Sequence, residues 1–168
     1  TMASQLRVDK ILPVDGAPTS GGGGIIQVVS TTLTTPTSTT STSAFEDISG
    51  LSVAITPKFS TSKVLLMVSL GSLSANAQSM GFRLLRGSTQ IGGATSTALQ
   101  SGFTNVYAAV DYIMNASHNF LDSPSTTSAT TYKLQWRVAS GTGYLNRYRG
   151  NATEYNGAST ITAMEVSA

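Results

Sequence analysis

The chain has 168 residues, a length suited to one domain with its own hydrophobic core. Charged residues are 11% of it, against about 25% in a typical soluble domain, and 24 Ser and 24 Thr supply most of the polar surface. The net charge of +2 arises from ten basic and eight acidic residues, so no strong field favours nucleic-acid binding. The absence of Cys excludes disulfides, thiolate metal sites and Cys nucleophiles.

The N-terminal part of the chain predicts an attachment arm. Residues 1–20 contain a stretch from Leu6 to Pro18 with alternating apolar positions, and residues 21–24 are four glycines that form a hinge. So short a piece cannot satisfy its backbone alone, so we expect it to pair with a neighbouring chain or a larger partner. A frayed leader is the alternative. Thr1 precedes Met2, and we expect Met2 to be the native start of a protein of about this length.

No apolar run approaches the roughly 18 residues of a membrane-spanning helix, and the first 20 residues lack the pattern of a signal peptide. We therefore expect no membrane insertion. The composition also disfavours helices, because only three Glu and four Lys could serve as surface helix formers, whereas Thr, Val and Ile suit strands.

From residue 25 onward, strand signals recur at short intervals between Gly, Pro, Ser and Thr clusters. We predict an all-β fold: an antiparallel β-sandwich, jelly-roll-like, over residues 25–168. About nine strands are expected: Ile25 to Thr32, Leu51 to Thr56, Lys63 to Leu70, Met80 to Arg86, Thr89 to Ile91, Asn105 to Met114, Thr130 to Ala139, Gly143 to Tyr148 and Thr160 to Val166.

Three local patterns refine this picture. The stretch from Tyr132 to Val138 alternates apolar and polar residues, which predicts one core face and one wet face carrying Lys133, Gln135 and Arg137. Gly87-Ser88 between two strand-like pieces predicts a two-residue type II′ hairpin. The stretches from Leu33 to Ser43 and from Ser123 to Ser128 are predicted surface loops.

Two predicted strands, Lys63 to Leu70 and Val106 to Met114, are apolar on both faces. A sandwich covers one face of each sheet, and no helical segment is available to cover the other. We therefore expect a homo-oligomer, although simple exposure of these side chains is the alternative.

The residues available for catalysis are few. His118 is the only His, and we interpret it as a hydrogen-bonded structural residue. No carboxylates have metal-ligand spacing, and the glycine run lacks the features of a phosphate cradle. A paired-carboxylate glycosidase would require the fold to bring together residues such as Asp111 and Glu154. Asp122, before Ser123-Pro124, is predicted to accept backbone N–H bonds in a turn. We expect no cofactor, no metal and no enzyme activity.

The strongest surface candidate is the segment from Gly143 to Tyr155, which interleaves Tyr with Arg and Asn. Aromatic rings stack on sugar CH surfaces, and Arg donors bind hydroxyls or carboxylates. The candidate contacts are Tyr144, Arg147, Tyr148, Arg149 and Tyr155, with Tyr148 and Arg149 first for an acidic or hydroxyl-rich sugar. The alternative is an ordinary strand or a subunit contact with the same residues.

Several segments resemble a recurrent domain of tailed-phage virion proteins, described as tail-fibre or minor structural proteins and frequent in aquatic phages and cyanophages. They are Phe120 to Trp136, Gly50 to Leu70, Phe82 to Ile91, Gly24 to Val29 and Thr160 to Val166. The stretch from Leu6 to Ile11 resembles the leader that precedes this domain.

The resemblance implies a virion surface protein, a trimeric β-structured appendage with no catalytic or metal residue. Because the chain lacks a repeat shaft, we expect a short fibre or spike that contacts a host glycan, with its arm docked on other virion proteins. A capsid decoration protein is the alternative. A glycan-cleaving tail enzyme and a free carbohydrate-binding module are further alternatives.

Overall fold

The computed structural model describes residues 24–95 and 101–167. The predicted arm and three of the four hinge glycines lie outside the described residues. Within those ranges the chain forms strands and no helix, and hence no helix with the length and hydropathy to cross a membrane. The strands are β1 (Ile25–Leu33), β2 (Thr37–Thr39), β3 (Glu46–Ile55), β4 (Lys63–Ala75), β5 (Gln78–Arg86), β6 (Thr89–Ile91), β7 (Thr104–Ala108), β8 (Met114–Asp122), β9 (Thr130–Val138), β10 (Gly143–Leu145) and β11 (Ser159–Val166).

The strands form two antiparallel sheets. One has the order β1-β11-β4-β10-β2, with β8 also paired to β4, and the other has the order β3-β9-β5-β6, with β7 also paired to β5. The eight principal strands therefore lie as β1-β11-β4-β8 and β3-β9-β5-β7, which is the strand order of a jelly roll. The predicted sandwich is confirmed.

The core lies between the sheets and follows the period of two. In β9, Tyr132, Leu134, Trp136 and Val138 are all buried, as the alternation predicts. They pack with Phe82 from β5 and with side chains from the six-stranded sheet. Fully burying one such side chain contributes about 1.5–3 kcal/mol, so this packing carries most of the stability.

A buried polar network joins the sheets. Both carboxylate oxygens of Asp122, at the end of β8, accept hydrogen bonds of 2.9 Å from Nη1 of Arg86 on β5. One of them also accepts a 2.7 Å bond from the Tyr132 hydroxyl on β9, whose pKa is raised by burial and by Asp122. We expected the partners of Asp122 to be backbone amides of a turn. They are side chains of the opposite sheet, because Asp122 ends its strand facing the core.

The prediction of one strand from Asn105 to Met114 is wrong. The chain leaves β7 at Ala108 and turns, with a 3.3 Å bond from Tyr112 N to Ala109 O. Asp111 in this turn has φ +64°, a left-handed conformation in which Asp is enriched among non-Gly residues. The chain then returns as β8, which was not predicted, so the supposed two-faced apolar strand is two strands and a turn.

Smaller differences occur at loops and strand ends. The predicted loop from Leu33 to Ser43 contains the short strand β2, whereas the stretch from Ser123 to Ser128 is a loop as expected. The strand predicted from Gly143 to Tyr148 ends at Leu145, because Asn146 takes φ +60° and its side chain bonds the Leu33 carbonyl at 2.8 Å. The Gly87-Ser88 hairpin is confirmed, with Gly87 at φ +58°.

The outer face of the six-stranded sheet carries an apolar row, as predicted for Lys63 to Leu70. Val28 pairs with Met164, Met164 with Leu65, and Leu65 with Leu121, so these four side chains lie side by side across the sheet. Val28 is 52% exposed and Leu121 48% exposed. The described residues therefore leave the row open to solvent.

Candidate functional site

Two loops at one end of the sandwich enclose an open cleft of about 410 Å³, here named the tyrosine cleft. The turn between β7 and β8 forms one wall, and the long connection between β10 and β11 forms the other. The cleft is lined by Asp111, Tyr112, Ile113, Tyr148, Glu154 and Tyr155.

The second wall is held by backbone hydrogen bonds to the end of β4. Arg147 N donates to Ser72 O at 3.2 Å, and the Ser74 hydroxyl donates to Arg147 O at 2.9 Å. Further along, Tyr148 N donates to Glu154 O at 3.3 Å, which closes the loop on itself. Tyr148 therefore lies on a connection that is hydrogen-bonded to the sheet.

Asp111 joins the two walls. Its Oδ1 accepts a 2.5 Å hydrogen bond from the Tyr148 hydroxyl and a 2.6 Å bond from Nη2 of Arg149. The Tyr148 bond and then the Arg149 guanidinium lower the pKa of Asp111 below its ordinary value of 3.8. Conversely, the bond to Asp111 is the main cause that raises the pKa of Tyr148. At neutral pH the site thus holds an ionised carboxylate beside a protonated phenol.

Aromatic rings form the rim of the tyrosine cleft. Tyr148 and Tyr155 meet edge to face, with centroids 5.9 Å apart at 78°. Tyr155 is 67% exposed and Tyr112 is 66% exposed. Such exposed rings offer flat apolar surface beside polar groups, the combination that binds the CH faces and hydroxyls of a sugar.

The structure brings together part of the predicted site. Tyr148, Arg149 and Tyr155 meet around the cleft, but Tyr144 and Arg147 do not line it. Their side chains pair with each other, with the Arg147 guanidinium 4.7 Å from the Tyr144 ring centroid.

Residues from the β7–β8 turn were missed. The sequence predicts one strand through Asp111 and Tyr112 and therefore gives no reason to assign either residue to the Tyr/Arg segment. Asp111 and Glu154, considered as a glycosidase pair, do line the same cleft. No local sequence signal could have linked the two walls, since the turn carries no Gly or Pro.

The charges of the tyrosine cleft favour a neutral ligand. The positive charge of Arg149 is neutralised by its ion pair with Asp111. Because the carboxylate of Glu154 also lines the cleft, hydrogen-bond acceptors predominate there. Carboxylates accept bonds from sugar hydroxyls and repel acidic sugars. Of the two sugar classes that the sequence left open, the geometry here favours the hydroxyl-rich one.

His118 lies away from the tyrosine cleft and has a structural environment. Its ring stacks on Phe103, with centroids 4.6 Å apart, and lies parallel to Phe120 at 6.4 Å. Desolvation lowers its pKa, an effect that the backbone of Gly92 opposes. Within residues 24–95 and 101–167, no group of three or more His, Asp or Glu is placed to hold a metal ion.

Comparison with known proteins found no matching family model and no matching curated protein. Among solved structures, the chain is similar to the infectious bursal disease virus Gt strain, with 13% identity and a TM-score of 0.46 over 97% of this chain and 43% of that one. It is also similar to the VP2 subviral particle of that virus, with 14% identity and a TM-score of 0.42 over 83% of this chain and 38% of that one.

The Gx strain structure of the same virus gives 12% identity and a TM-score of 0.43 over 99% of this chain and 42% of that one. The chain thus spans less than half the length of each of these chains. TM-scores below 0.5 leave the function to be argued from this chain's own residues.

Proposed function

We propose that this protein is a structural component of a phage particle surface and that it binds a host carbohydrate through the tyrosine cleft. The observation that carries the binding proposal is the open cleft in which Tyr148 and Tyr155 meet beside the carboxylates of Asp111 and Glu154. The sequence resemblance to tailed-phage virion proteins supports the location.

The chemistry of the cleft suits reversible binding of a neutral saccharide. A ring face covers the apolar side of a hexose, while Asp111 and Glu154 accept bonds from its hydroxyls. A shallow site of this kind binds a single sugar weakly, with a Kd on the order of 1 mM. Several copies on one particle raise the avidity by about 10²–10⁴, so the proposal requires a multivalent assembly.

We propose binding without cleavage. A glycosidase requires one protonated carboxylic acid beside a second, ionised carboxylate. Asp111 cannot serve as that acid at neutral pH, because Tyr148 and Arg149 lower its pKa. Glu154 is exposed and its Oε1 accepts a 3.0 Å bond from the side-chain amide of Asn151, so no apolar pocket encloses its carboxyl group.

We propose further that the chain assembles as a homotrimer in a short fibre or spike. The apolar row Val28-Met164-Leu65-Leu121 supports an interface on the outer face of the six-stranded sheet. The same row favours the second candidate, a capsid decoration protein docked by this face. Imaging of intact particles with a labelled antibody separates tail from capsid, and ultracentrifugation showing only monomer at micromolar concentration would contradict the trimer.

Sugar binding is tested by saturation-transfer NMR of the full chain with methyl glucoside, methyl galactoside and methyl mannoside. We expect binding of at least one, weakened about tenfold by Tyr155→Ala because an exposed ring of the cleft is removed. Tyr107→Ala is the matched control, since Tyr107 is 60% exposed but lies on β7 outside the cleft. If the native protein binds none of these sugars, or both variants bind equally, the proposal fails.

A further inference from the structure

A second cleft, of about 500 Å³, lies on the outer face of the five-stranded sheet and is here named the arginine cleft. Strands β5 and β9 form its floor, and the segment that precedes β3 forms one wall. Its polar and aromatic lining includes Ser43, Phe45, Arg83, Gln90, Gln135 and Arg137.

The Arg83 guanidinium is fixed in position. Its Nε donates to Ser101 O at 2.9 Å, and its Nη2 donates to Ser101 Oγ at 2.6 Å. The group also lies over the Phe45 ring, with Cζ 3.7 Å from the ring centroid. A planar group held on one edge and one face loses little conformational entropy when it binds a ligand.

Arg137 is buried beneath the segment before β3. Only 9% of its surface is exposed, and its Nη2 donates to the Thr42 carbonyl. Its Nε is buried and finds no hydrogen-bond partner among the described residues. This position was predicted to be on a wet face. The covering segment buries it instead, and an unsatisfied buried donor is unfavourable unless another group satisfies it.

The positive charge of this cleft is not neutralised by a carboxylate among its described lining residues. Asp47 is close by register, since it pairs with Gln135 and Gln135 pairs with Arg83. Its two oxygens, however, accept bonds of 2.8 Å from Lys133 and from Gln135. Burial, followed by the charge of Arg137, lowers the pKa of Arg83, so the two cations lie close enough to repel each other.

We propose that the arginine cleft binds the oxyanion group of an acidic saccharide, a carboxylate or a sulfate ester. Guanidinium groups bind such oxyanions through paired, charge-assisted hydrogen bonds. The side-chain nitrogens of Gln90 and Gln135 already donate to Ala94 O and to Asp47, so their amide oxygens face sugar hydroxyls around the anion as acceptors. A bound anion also relieves the repulsion between Arg83 and Arg137. The inference is independent of sugar binding in the tyrosine cleft.

The test is titration of the full ¹⁵N-labelled chain with glucuronate, glucose 6-sulfate, inorganic phosphate and glucose, followed by NMR. We expect the two acidic sugars to shift the side-chain amide signals of Gln90 and Gln135, and glucose to leave them unchanged. Phosphate binding as tight as that of both acidic sugars would contradict the saccharide part of the proposal. Failure of both acidic sugars to bind would overturn it entirely.

Variants locate the binding. Arg83→Gln should weaken binding of glucose 6-sulfate at least tenfold, and Arg83→Lys, which keeps the charge but loses the planar fork, should weaken it about threefold. Lys58→Gln is the control, because it removes one positive charge from an exposed position outside the cleft. Arg137 is buried, so Arg137→Gln could unfold the protein. The Arg83 variants therefore test whether the arginine cleft is the binding site. Unchanged binding in Arg83→Gln, or equal losses in Lys58→Gln, would show that the cleft is not the site.

Discussion

The tyrosine cleft and the arginine cleft differ in what holds their side chains in place. The tyrosine cleft is built by two loops, and a hydrogen-bonded cluster of Asp111, Tyr148 and Arg149 joins its walls. The arginine cleft lies on paired strands, where the β-ladder positions Arg83 beside Gln135. In the first, opposite charges meet within the protein. In the second, two arginines line one cleft with no carboxylate among its described lining residues.

This difference shows how one jelly roll can present two kinds of polar site. A loop site requires internal ion pairs and hydrogen bonds for its shape, so its charge is largely satisfied before a ligand arrives. The arginine cleft obtains its floor from the backbone ladder and one wall from the segment before β3, and no carboxylate among its described lining residues pairs with its arginines.

The largest expected effect comes from breaking the scaffold that both clefts share. Asp122→Ala should lower the free energy of unfolding by about 3 kcal/mol, because it leaves Arg86 and the buried Tyr132 hydroxyl without their partner. Chemical denaturation measures this change. Both clefts should lose affinity only when the protein is partly unfolded.

Asp47→Ala is the control for that variant. Asp47 also accepts bonds from a cation and a neutral donor, but its side chain is 52% exposed. Its removal should cost less than about 1 kcal/mol. A loss as large as that of Asp122→Ala would show that burial does not distinguish the two carboxylates.

Ligand binding at the two clefts should respond differently to acid. Because the folded pKa of Asp111 lies below 3.8, its contribution is fully present above that value and is lost as the pH falls through the folded pKa. Methyl-glycoside binding in the tyrosine cleft should therefore be constant from pH 7 to 5 and weaken severalfold only below pH 3.8, as the pH falls through the folded pKa of Asp111. Binding of glucose 6-sulfate to the arginine cleft should persist, since both partners stay ionised.

NMR titrations at pH 7, 5 and 3 measure both affinities, with circular dichroism to check that the chain remains folded. Asp111→Asn should reduce the acid-dependent part of the tyrosine-cleft response, because the Asn amide does not titrate. Parallel loss at both clefts would indicate general acid unfolding instead.

Salt should weaken ligand binding at the arginine cleft more than at the tyrosine cleft. Raising the NaCl concentration from about 0.05 M to 0.5 M shortens the screening length to less than half. Binding of glucose 6-sulfate should weaken about fivefold, while binding of a neutral methyl glycoside should change less than twofold. Equal responses would contradict the assignment of anionic and neutral ligands to the two clefts.

The smallest effect on binding is expected at the hairpin tip between β5 and β6. A Cβ atom added at Gly87 would have no atom within 4 Å, so Gly87→Ala is unfavourable only because φ is +58°. The variant should lower the free energy of unfolding by about 1 kcal/mol. Thermal unfolding should register this loss, whereas both affinities should stay unchanged. A change confined to the arginine cleft would show that hairpin geometry, and not only the β5–β9 ladder, positions its residues.

Features that depend on neighbouring residues can be predicted from the sequence alone. The alternation from Tyr132 to Val138 identified the core face of β9, and Gly87-Ser88 identified a hairpin, because side-chain period and turn chemistry act within a few residues. Recurrent strand signals and turn residues indicated a jelly-roll-like sandwich. Tyr148, Arg149 and Tyr155 were found because they lie close together in the chain.

Which distant residues meet depends on the tertiary structure. Asp111 joins Tyr148 across a separation of 37 residues, through a turn that contains no Gly or Pro and in which Asp111 takes φ +64°. The strand periodicity predicts that Arg137 is exposed to solvent, but the segment at Thr42 covers and buries it. Both clefts therefore depend on how loops pack against strands far away in the chain, and a periodicity read along one strand carries no information about that packing.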